Sequence, residues 1–421
     1  MRVFKFGGAS VKDAEGVKNL ATVLSLFRNE SLVIVVSAMG KMTNALELVA
    51  NACYNKKDAH DPLEKVRKFH YDIVSNLGIP ETHSLWKEVS DCFTEMEWVL
   101  EEDHSKGYNF VYDQLVSQGE LLSTRIVAAY LQSQFEQVRW MDIRDSLITN
   151  NTYREGEVNW PLTEKLTTQH FLPLLNEGKW VLTQGFIGAT SENYTTTLGR
   201  EGSDYTAAIL SYCLNADEMV VWKDVPGVLS ADPKYTDDTV KLEQISYHDA
   251  IELTYYGATV IHPKTIKPLE NKHIPLRVCS FTSPKERGTS IGNYKATKPL
   301  VPAFIFKTNQ ILISISAKDF SFIAEDHLSR IFGAFARHHA KINLMQNSAL
   351  SFSVCIDNDP HKIPALLEEL QQSFKVLYNE KLRLVTVRHY YPSTIDALSK
   401  GREVILEQRS RQTAQLVMKE N

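Results

Sequence analysis

Two glycine turns, each preceded by a short strand and followed by a helix, constrain this chain most strongly. They are Lys5–Ser10 (KFGGAS) and Leu198–Tyr205 (LGREGSDY). A turn of this kind exposes backbone N–H groups at a helix N-terminus, where phosphate binds well. Because the first turn carries a lysine and the second an arginine and an aspartate, the two together predict a site that handles a phosphoryl group beside a carboxylate.

Length and composition limit the class of protein. A chain of 421 residues suits two or three domains, and a net charge of −5 argues against a nucleic-acid surface. The five cysteines are scattered and never form a CxxC pair, which suits a reducing cytosol and disfavours a zinc site. The chain enters a strand directly after Met1, and its apolar runs are short, so we expect a cytoplasmic protein without a signal peptide or membrane span.

The first part of the chain predicts an α/β fold. Arg2–Phe6 is a short strand, Asp13–Asn29 has one apolar helical stripe, and Leu32–Val36 is apolar on both faces, as in a buried parallel strand. This order is a βαβ unit, and it indicates a parallel-rich sheet sandwiched by helices. Residues 60–135 are expected to be mostly helical. Further strands are expected at Trp180–Ile187, Glu218–Val221 and Ile274–Phe281, and Ile274–Phe281 is expected to be the last strand of this domain.

The pattern changes after a proline-containing linker at 295–302. The order βαββα over residues 311–374 predicts a small ferredoxin-like α+β module. Leu382–His389 begins a second, shortened copy, whose remainder alternates like a hairpin and predicts no helix. The expected domains are therefore 1–297, 303–380 and 381–421.

Several polar side chains occupy positions suited to phosphoryl chemistry. Lys5 lies at the C-terminal end of a strand, where α/β sheets bind ligands, and the glycines that follow it favour a functional lysine over a solvated one. Arg200 can bind a carboxylate or phosphate in a fork. Ser203 and Asp204 are expected to cap a helix over Tyr205–Leu214, which does not exclude a catalytic role.

Other positions stay open on the residues alone. Lys223 and Asp224 end a strand before Pro226-Gly227, a pattern that fits either a plain turn or a grip on a nucleotide. Glu120 follows Gly119 in a helical region, where most glutamates are simply solvated. The histidines show no metal-ligand spacing.

Seven segments in order resemble the aspartate kinases of the amino-acid kinase superfamily, over nearly the whole chain. The tail resembles the ACT regulatory modules of that family. The matching segments are Lys5–Ser10, Ser37–Asn44, Ser117–Glu120, Thr183–Gly188, Thr195–Tyr205, Trp222–Pro233 and Gly257–Pro263.

The resemblance implies transfer of a phosphoryl group from ATP to the side-chain carboxylate of L-aspartate, with Mg²⁺ bridging the nucleotide phosphates and no assured protein ligand to the metal. It also implies a homodimer formed through the ACT region. Lys5, Arg200 and Asp204 would be catalytic. The amino-acid pocket would comprise Ser37, Ala38, Thr43, Glu120, Phe186, Arg200 and Ser203. The nucleotide would be held by Lys5, Gly7, Gly8, Ser10, Lys223, Asp224, Leu229, Lys234 and Thr259.

This sequence departs from the family pattern at four positions. Ala9 stands where threonine is usual, Glu201 replaces a turn glycine, Thr259 replaces a lysine that reaches the phosphates, and Lys223 stands where threonine is common. We infer that Lys223 supplies the charge missing at position 259. Two alternatives remain: another amino-acid kinase, such as an acetylglutamate or glutamate kinase, or a catalytically impaired amino-acid sensor.

Overall fold

The computed structural model describes residues 1–102, 104–258, 261–319 and 321–420. As far as they are described, residues 1–228, 243–251 and 260–297 form one compact unit. A second unit is made of residues 229–242, 252–259 and 298–421.

An eight-stranded, mostly parallel sheet is the core of the first unit. Its strand order is β3-β4-β2-β1-β7-β9-β10-β8, and only the β9–β10 pair is antiparallel. A separate two-stranded sheet pairs β5 with β6. The strands are β1 (Arg2–Phe6), β2 (Leu32–Val36), β3 (Val138–Trp140), β4 (Trp180–Gln184), β5 (Ile187–Ala189), β6 (Thr195–Thr197), β7 (Glu218–Lys223), β8 (Gln244–Ser246), β9 (Leu276–Ser280) and β10 (Thr289–Gly292).

Helices flank this sheet, as the sequence predicts. They are α1 (Ala14–Ser25), α2 (Met42–Tyr54), α3 (His60–Asn76), α4 (Leu85–Glu101), α5 (Tyr108–Gln134), α6 (Trp160–Asn176), α7 (Gly202–Cys213), α8 (Tyr247–Tyr256) and α9 (Pro263–Asn271). Helix α8 contributes residues to both units. Every residue of β2 is buried, and the N-terminus of α1 is capped by Asp13, whose carboxylate accepts the Gly16 N–H at 2.8 Å. Among the described residues, none of the helices has the length and apolarity to cross a membrane.

Two strand predictions need correction. The single strand expected over Trp180–Ile187 is broken at Gly185 and Phe186, and Phe186 adopts a φ of +70°. The chain bends there because it packs against α7: a Cβ on Gly185 would lie 2.5 Å from the Cβ of Ser203. The strand expected over Ile274–Phe281 is present as β9 but is not the last of its sheet, since β10 returns beside it in antiparallel register.

The second unit contains a six-stranded antiparallel sheet in the order β12-β13-β11-β14-β16-β15. Its elements are β11 (Ala303–Ala317), α10 (Glu325–Arg337), β12 (Ile342–Asn347), β13 (Phe352–Asp357), α11 (Ile363–Ser373), β14 (Phe374–Arg388), α12 (Pro392–Ser399), β15 (Val404–Arg409) and β16 (Thr413–Lys419). The βαββα order and the final hairpin match the sequence-based expectation.

The expectation that the second copy contains no helix was wrong. Helix α12 is short and begins with Pro392, whose fixed φ suits the first helical turn. Its apolar positions Ile395 and Leu398 pack on the sheet beside Val385 and Ala414. Eight residues offer too little periodicity to be read as a helix from sequence, and burial of this apolar side against the strands is what stabilises it.

Candidate active site

A cavity of about 910 Å³ opens in the first unit, where β1, β2 and β7 end and α7 begins. The carboxyl ends of parallel strands are where α/β folds bind ligands. Eleven of the residues proposed from sequence line it together: Lys5, Gly8, Ser37, Ala38, Thr43, Glu120, Phe186, Arg200, Ser203, Asp204 and Lys223.

A buried ion pair stands at the centre of this cavity. The Nζ of Lys5 lies 2.7 Å from Oδ1 of Asp204, and the Nζ of Lys223 lies 3.7 Å from Oδ2 of the same carboxylate. Burial tends to raise the pKa of Asp204, but the two ammonium groups outweigh it and hold that pKa below its usual value. Asp204 is therefore a fixed negative charge between two cations.

The first glycine turn brings backbone, rather than side chains, to the cavity. A Cβ on Gly8 would lie 2.6 Å from the carbonyl oxygen of Ala38, so only glycine fits this close approach. Gly7 lies beside the lysine, because its Cβ would come 3.4 Å from Lys5 Nζ. Ser10 is buried in the 3-10 turn that follows, and its N–H donates to the Gly7 carbonyl. Gly7 and Ser10 are not among the residues that line the cavity.

Glu120 is a buried carboxyl group at the wall formed by α5. Its side chain is almost fully buried, and Oε2 has no hydrogen-bond partner. Burial raises the pKa of Glu120 to about 8, although a hydrogen bond from the Ala38 backbone and the charge of Lys5 oppose this shift. A buried carboxyl with an unsatisfied oxygen is a site that a ligand ammonium group would complete.

The N-terminus of α7 differs from the sequence-based expectation. The helix begins at Gly202, not at Tyr205, so Ser203 and Asp204 lie within its first turn. The capping role expected for these two side chains was wrong: the N-cap position is Glu201, and no side-chain hydrogen bond caps the helix. The side chain of Asp204 is instead turned to Lys5, where the buried ion pair replaces a capping interaction.

Glu201 places a second carboxylate in this cluster. Its backbone has a φ of +54°, in the region that favours glycine, and its buried Oε2 accepts no hydrogen bond. Burial and the nearby charge of Asp204 raise the pKa of Glu201, while Lys223, Arg200 and Lys5 act in the opposite direction.

The remaining nucleotide residues proposed from sequence are not among those lining the cavity. Asp224 is exposed at the end of β7, and Leu229 and Lys234 belong to the segment grouped with the second unit. Thr259 lies outside the described residues. Across the described ranges, no group of three or more His, Cys, Asp or Glu side chains is arranged to hold a metal ion.

Several lining residues were missed from the sequence, among them Tyr112 and Arg154, and so was the buried Asp113 beside Tyr112. One signal was available for Asp113. It precedes Glu120 by seven positions in the same helix, and this spacing places both carboxylates on one face of α5.

Comparison with known proteins places this chain in a class of phosphotransferases. A model described as "Amino acid kinase family" matches residues 1–280, so the family is shown over most of the chain. Among curated proteins, the lysine-sensitive aspartokinase 3 of Escherichia coli is 32% identical over 392 residues, covering 91% of this chain and 86% of its own.

Solved structures agree with that match. E. coli aspartokinase III in complex with lysine and aspartate superimposes with a TM-score of 0.85 at 28% identity, covering 99% of this chain and 95% of its own. The complex of the same enzyme with aspartate and ADP gives a TM-score of 0.83 at 28% identity, covering 100% and 96%. The chain belongs to the aspartokinases of the amino acid kinase family.

Proposed function

We propose that the protein transfers the γ-phosphoryl group of ATP to the side-chain carboxylate of L-aspartate, giving 4-phospho-L-aspartate and ADP, the first step of aspartate-family amino-acid biosynthesis. One observation carries this proposal: the buried Lys5–Asp204 pair shares a single cavity with the unsatisfied carboxyl of Glu120. The first feature suits a phosphoryl group, and the second suits the ammonium group of an amino acid.

The acceptor is already a nucleophile, so the site needs no general base. A carboxylate oxygen forms a bond to the γ-phosphorus while the bond from that phosphorus to the bridging oxygen breaks, and the electron pair leaves with ADP. Lys5 stabilises the charge on the transferring group, and Asp204 fixes the position of its ammonium. Arg200 binds a carboxylate of aspartate in a fork, and Glu120 accepts its ammonium.

We propose that Mg²⁺ enters with ATP, bound mainly by phosphate oxygens. Glu201 would hold such an ion, because its buried Oε2 has no hydrogen-bond partner and carboxylate oxygen is the ligand that Mg²⁺ prefers. When bound, the ion neutralises phosphate charge.

A direct assay tests the reaction. The protein is incubated with ATP and aspartate, glutamate or N-acetylglutamate, and the acyl phosphate is trapped with hydroxylamine while ADP release is followed. Hydroxamate that forms with aspartate, but not with glutamate or N-acetylglutamate, supports the proposal. Hydroxamate from glutamate or N-acetylglutamate would indicate another amino-acid kinase, and aspartate binding without product would indicate a sensor.

We further propose a homodimer formed through the second unit and a cytoplasmic location. The antiparallel sheet ends at β12 and β15, and edge strands offer unpaired backbone groups to a second copy. Met345 on β12 is half exposed, which leaves apolar surface at that edge. All five cysteines are buried and none forms a disulfide, which suits a reducing compartment. Light scattering after size exclusion tests the dimer, and Met345→Lys should weaken it.

A further inference from the structure

Arg154 lines the cavity, and its backbone has a conformation that residues other than glycine rarely adopt. Its backbone φ is +70°, in the left-handed region that favours glycine. Residues held in such a conformation cluster at functional sites, where the surrounding structure enforces it. The group that enforces it here is identifiable.

Asp113 holds this segment from inside α5. It is completely buried, and its Oδ2 accepts the backbone N–H groups of both Arg154 and Thr197 at 2.9 Å. Its Oδ1 accepts the Thr197 hydroxyl at 2.7 Å. Burial raises the pKa of Asp113 to about 6, so keeping a charge at this position carries a cost.

The same anchor reaches the turn that carries Arg200. Thr197 ends β6 directly before that turn, and a Cβ on Gly199 would lie 3.2 Å from the carbonyl oxygen of Arg154. The segments that present the two arginines are therefore packed together around Asp113.

The charge of the Arg154 guanidinium acts on the Asp113 carboxylate, and the guanidinium lies 5.6 Å from the ring centroid of Tyr108. It stacks on the ring of Tyr112 at 4.2 Å, and one of its nitrogens lies 3.3 Å from Oε1 of Glu47. The two charged side chains are 39% and 37% exposed. Ion pairs this open to solvent add little stability, so Glu47 can be exchanged for another anion at small cost.

Glu47 also relates the position of the guanidinium to the proposed amino-acid pocket. It lies four residues after Thr43 in α2, so the two side chains are neighbours on one face of that helix. Thr43 lines the cavity, as do Tyr112 and Arg154. The guanidinium is therefore paired with a neighbour of Thr43, which belongs to the proposed amino-acid pocket.

We propose that Arg154 is a second guanidinium for the amino-acid substrate: it pairs with Glu47 in the free enzyme and moves to a carboxylate of the dicarboxylic substrate on binding. Asp113 is the positioning residue that holds it on the wall. This inference rests on the proposed function, because it takes aspartate as the substrate.

Two variants at the Arg154–Glu47 pair test the exchange, since they are expected to act in opposite directions. Arg154→Gly removes the side chain and leaves a residue that the backbone favours, so the fold is retained. We expect the Kd of aspartate, measured by calorimetry, to rise about tenfold and the KM of ATP to change less than twofold. Glu47→Gln removes the competing carboxylate and should lower the Kd of aspartate about two- to fivefold.

The control is Lys65→Ala, which breaks an exposed ion pair with Asp61 that does not line the cavity, and it should leave the Kd of aspartate unchanged. A purely structural ion pair would make Arg154→Gly and Glu47→Gln similar in effect. If both weaken aspartate binding, or if Arg154→Gly leaves it unchanged, the proposal is overturned.

Two variants of Asp113 form a second matched test. An asparagine can accept both backbone N–H groups with its carbonyl oxygen and donate its amide to the Thr197 hydroxyl, whereas alanine loses all three contacts. Asp113→Asn should therefore retain aspartate affinity within about threefold, and Asp113→Ala should raise the KM of aspartate far more than that of ATP. Equal increases in both KM values for Asp113→Ala would reduce Asp113 to a structural residue and contradict its positioning role.

The calorimetric arm separates this inference from the proposed function. If the wild-type protein forms no hydroxamate from aspartate yet binds it, the variants still test Arg154. If it binds glutamate or N-acetylglutamate instead, the same comparison is made with that dicarboxylate. In that case only the proposal that aspartate is the substrate is refuted.

Discussion

The Nζ of Lys5 and the Oδ1 of Asp204 lie 2.7 Å apart, although one belongs to the first strand and the other to the first turn of α7. Both side chains are buried, so solvent screens their attraction less than that of a surface ion pair, and removing either one exposes the other to the cost of a buried, less compensated charge. Lys223 approaches the same carboxylate from the end of β7.

Lys5→Ala should lower kcat by about 10²–10⁴, because the ammonium acts mainly on charge that develops in the transition state. The KM of aspartate should change little. Steady-state kinetics measure both, and circular dichroism checks that the variant folds with Lys223 as the remaining cationic partner of Asp204. A folded variant with near-normal kcat would refute the role of Lys5.

Glu120→Gln should raise the KM of aspartate at least tenfold and leave that of ATP nearly unchanged, because only aspartate carries an ammonium for this carboxyl. If both constants rise together, Glu120 supports the fold instead of the substrate.

The raised pKa of Glu120 also predicts a pH dependence. With a pKa of about 8, the group is mostly protonated at pH 6.5 and ionised at pH 9, so kcat/KM for aspartate should increase across that range. The fold binds this proton more tightly than the unfolded chain does, so stability falls as pH rises from about 4.5 to about 8. Glu120→Gln should flatten the rise of kcat/KM with pH. It should also increase Tm at pH 8.5 but not at pH 4. A kcat/KM profile that the substitution leaves unchanged would contradict the raised pKa of Glu120.

Lys223 is predicted to supply the charge that position 259 lacks. Lys223→Thr should then impair the use of ATP, and adding Thr259→Lys should restore part of it, because two sites that share one role are non-additive. The four proteins of this cycle are compared by kcat/KM for ATP. Strictly additive effects would exclude the exchange and leave Lys223 as a partner of Asp204 alone.

Lysine is expected to inhibit this protein weakly or not at all below about 1 mM. The relative whose structure contains lysine carries that ligand in the T-state. The resemblance to lysine-inhibited aspartate kinases implies an aspartate at the position of Asn343, and an asparagine offers no charge for a ligand ammonium. The amide of Asn343 already donates to Gln310 and Asp357, both at 2.9 Å, and its oxygen accepts from Lys307 at 2.7 Å. These internal contacts add to the cost of a ligand at that position.

Titration of lysine, threonine and methionine against activity and Tm measures this insensitivity. Asn343→Asp is the matched gain-of-function variant and should lower the IC50 of lysine. A wild-type IC50 below a millimolar that Asn343→Ala abolishes would show that the site is still functional.

Much of the fold could be predicted because its signals are local. The all-apolar β2, the stripe of α1 and the βαββα order of the tail are periodicities that the sequence shows directly. The failures were non-local. The strand expected over Trp180–Ile187 is broken at Gly185 and Phe186 because α7 packs against Gly185, and α12 exists because the sheet buries Ile395.

The sequence by itself determined which chemical groups meet, since Lys5 precedes the first glycine turn and Arg200 and Asp204 belong to the second. Only the tertiary structure decided their state. Removal from water raises the pKa of Glu120, and two ammonium groups lower that of Asp204. The buried carboxylate of Asp113 was likewise decided by packing, because its three hydrogen bonds come from β6 and the Arg154 segment, which are distant from α5 in the chain. Charge and hydrogen-bonding capacity are properties of the residue types, whereas burial and hydrogen-bond partners depend on how remote segments pack.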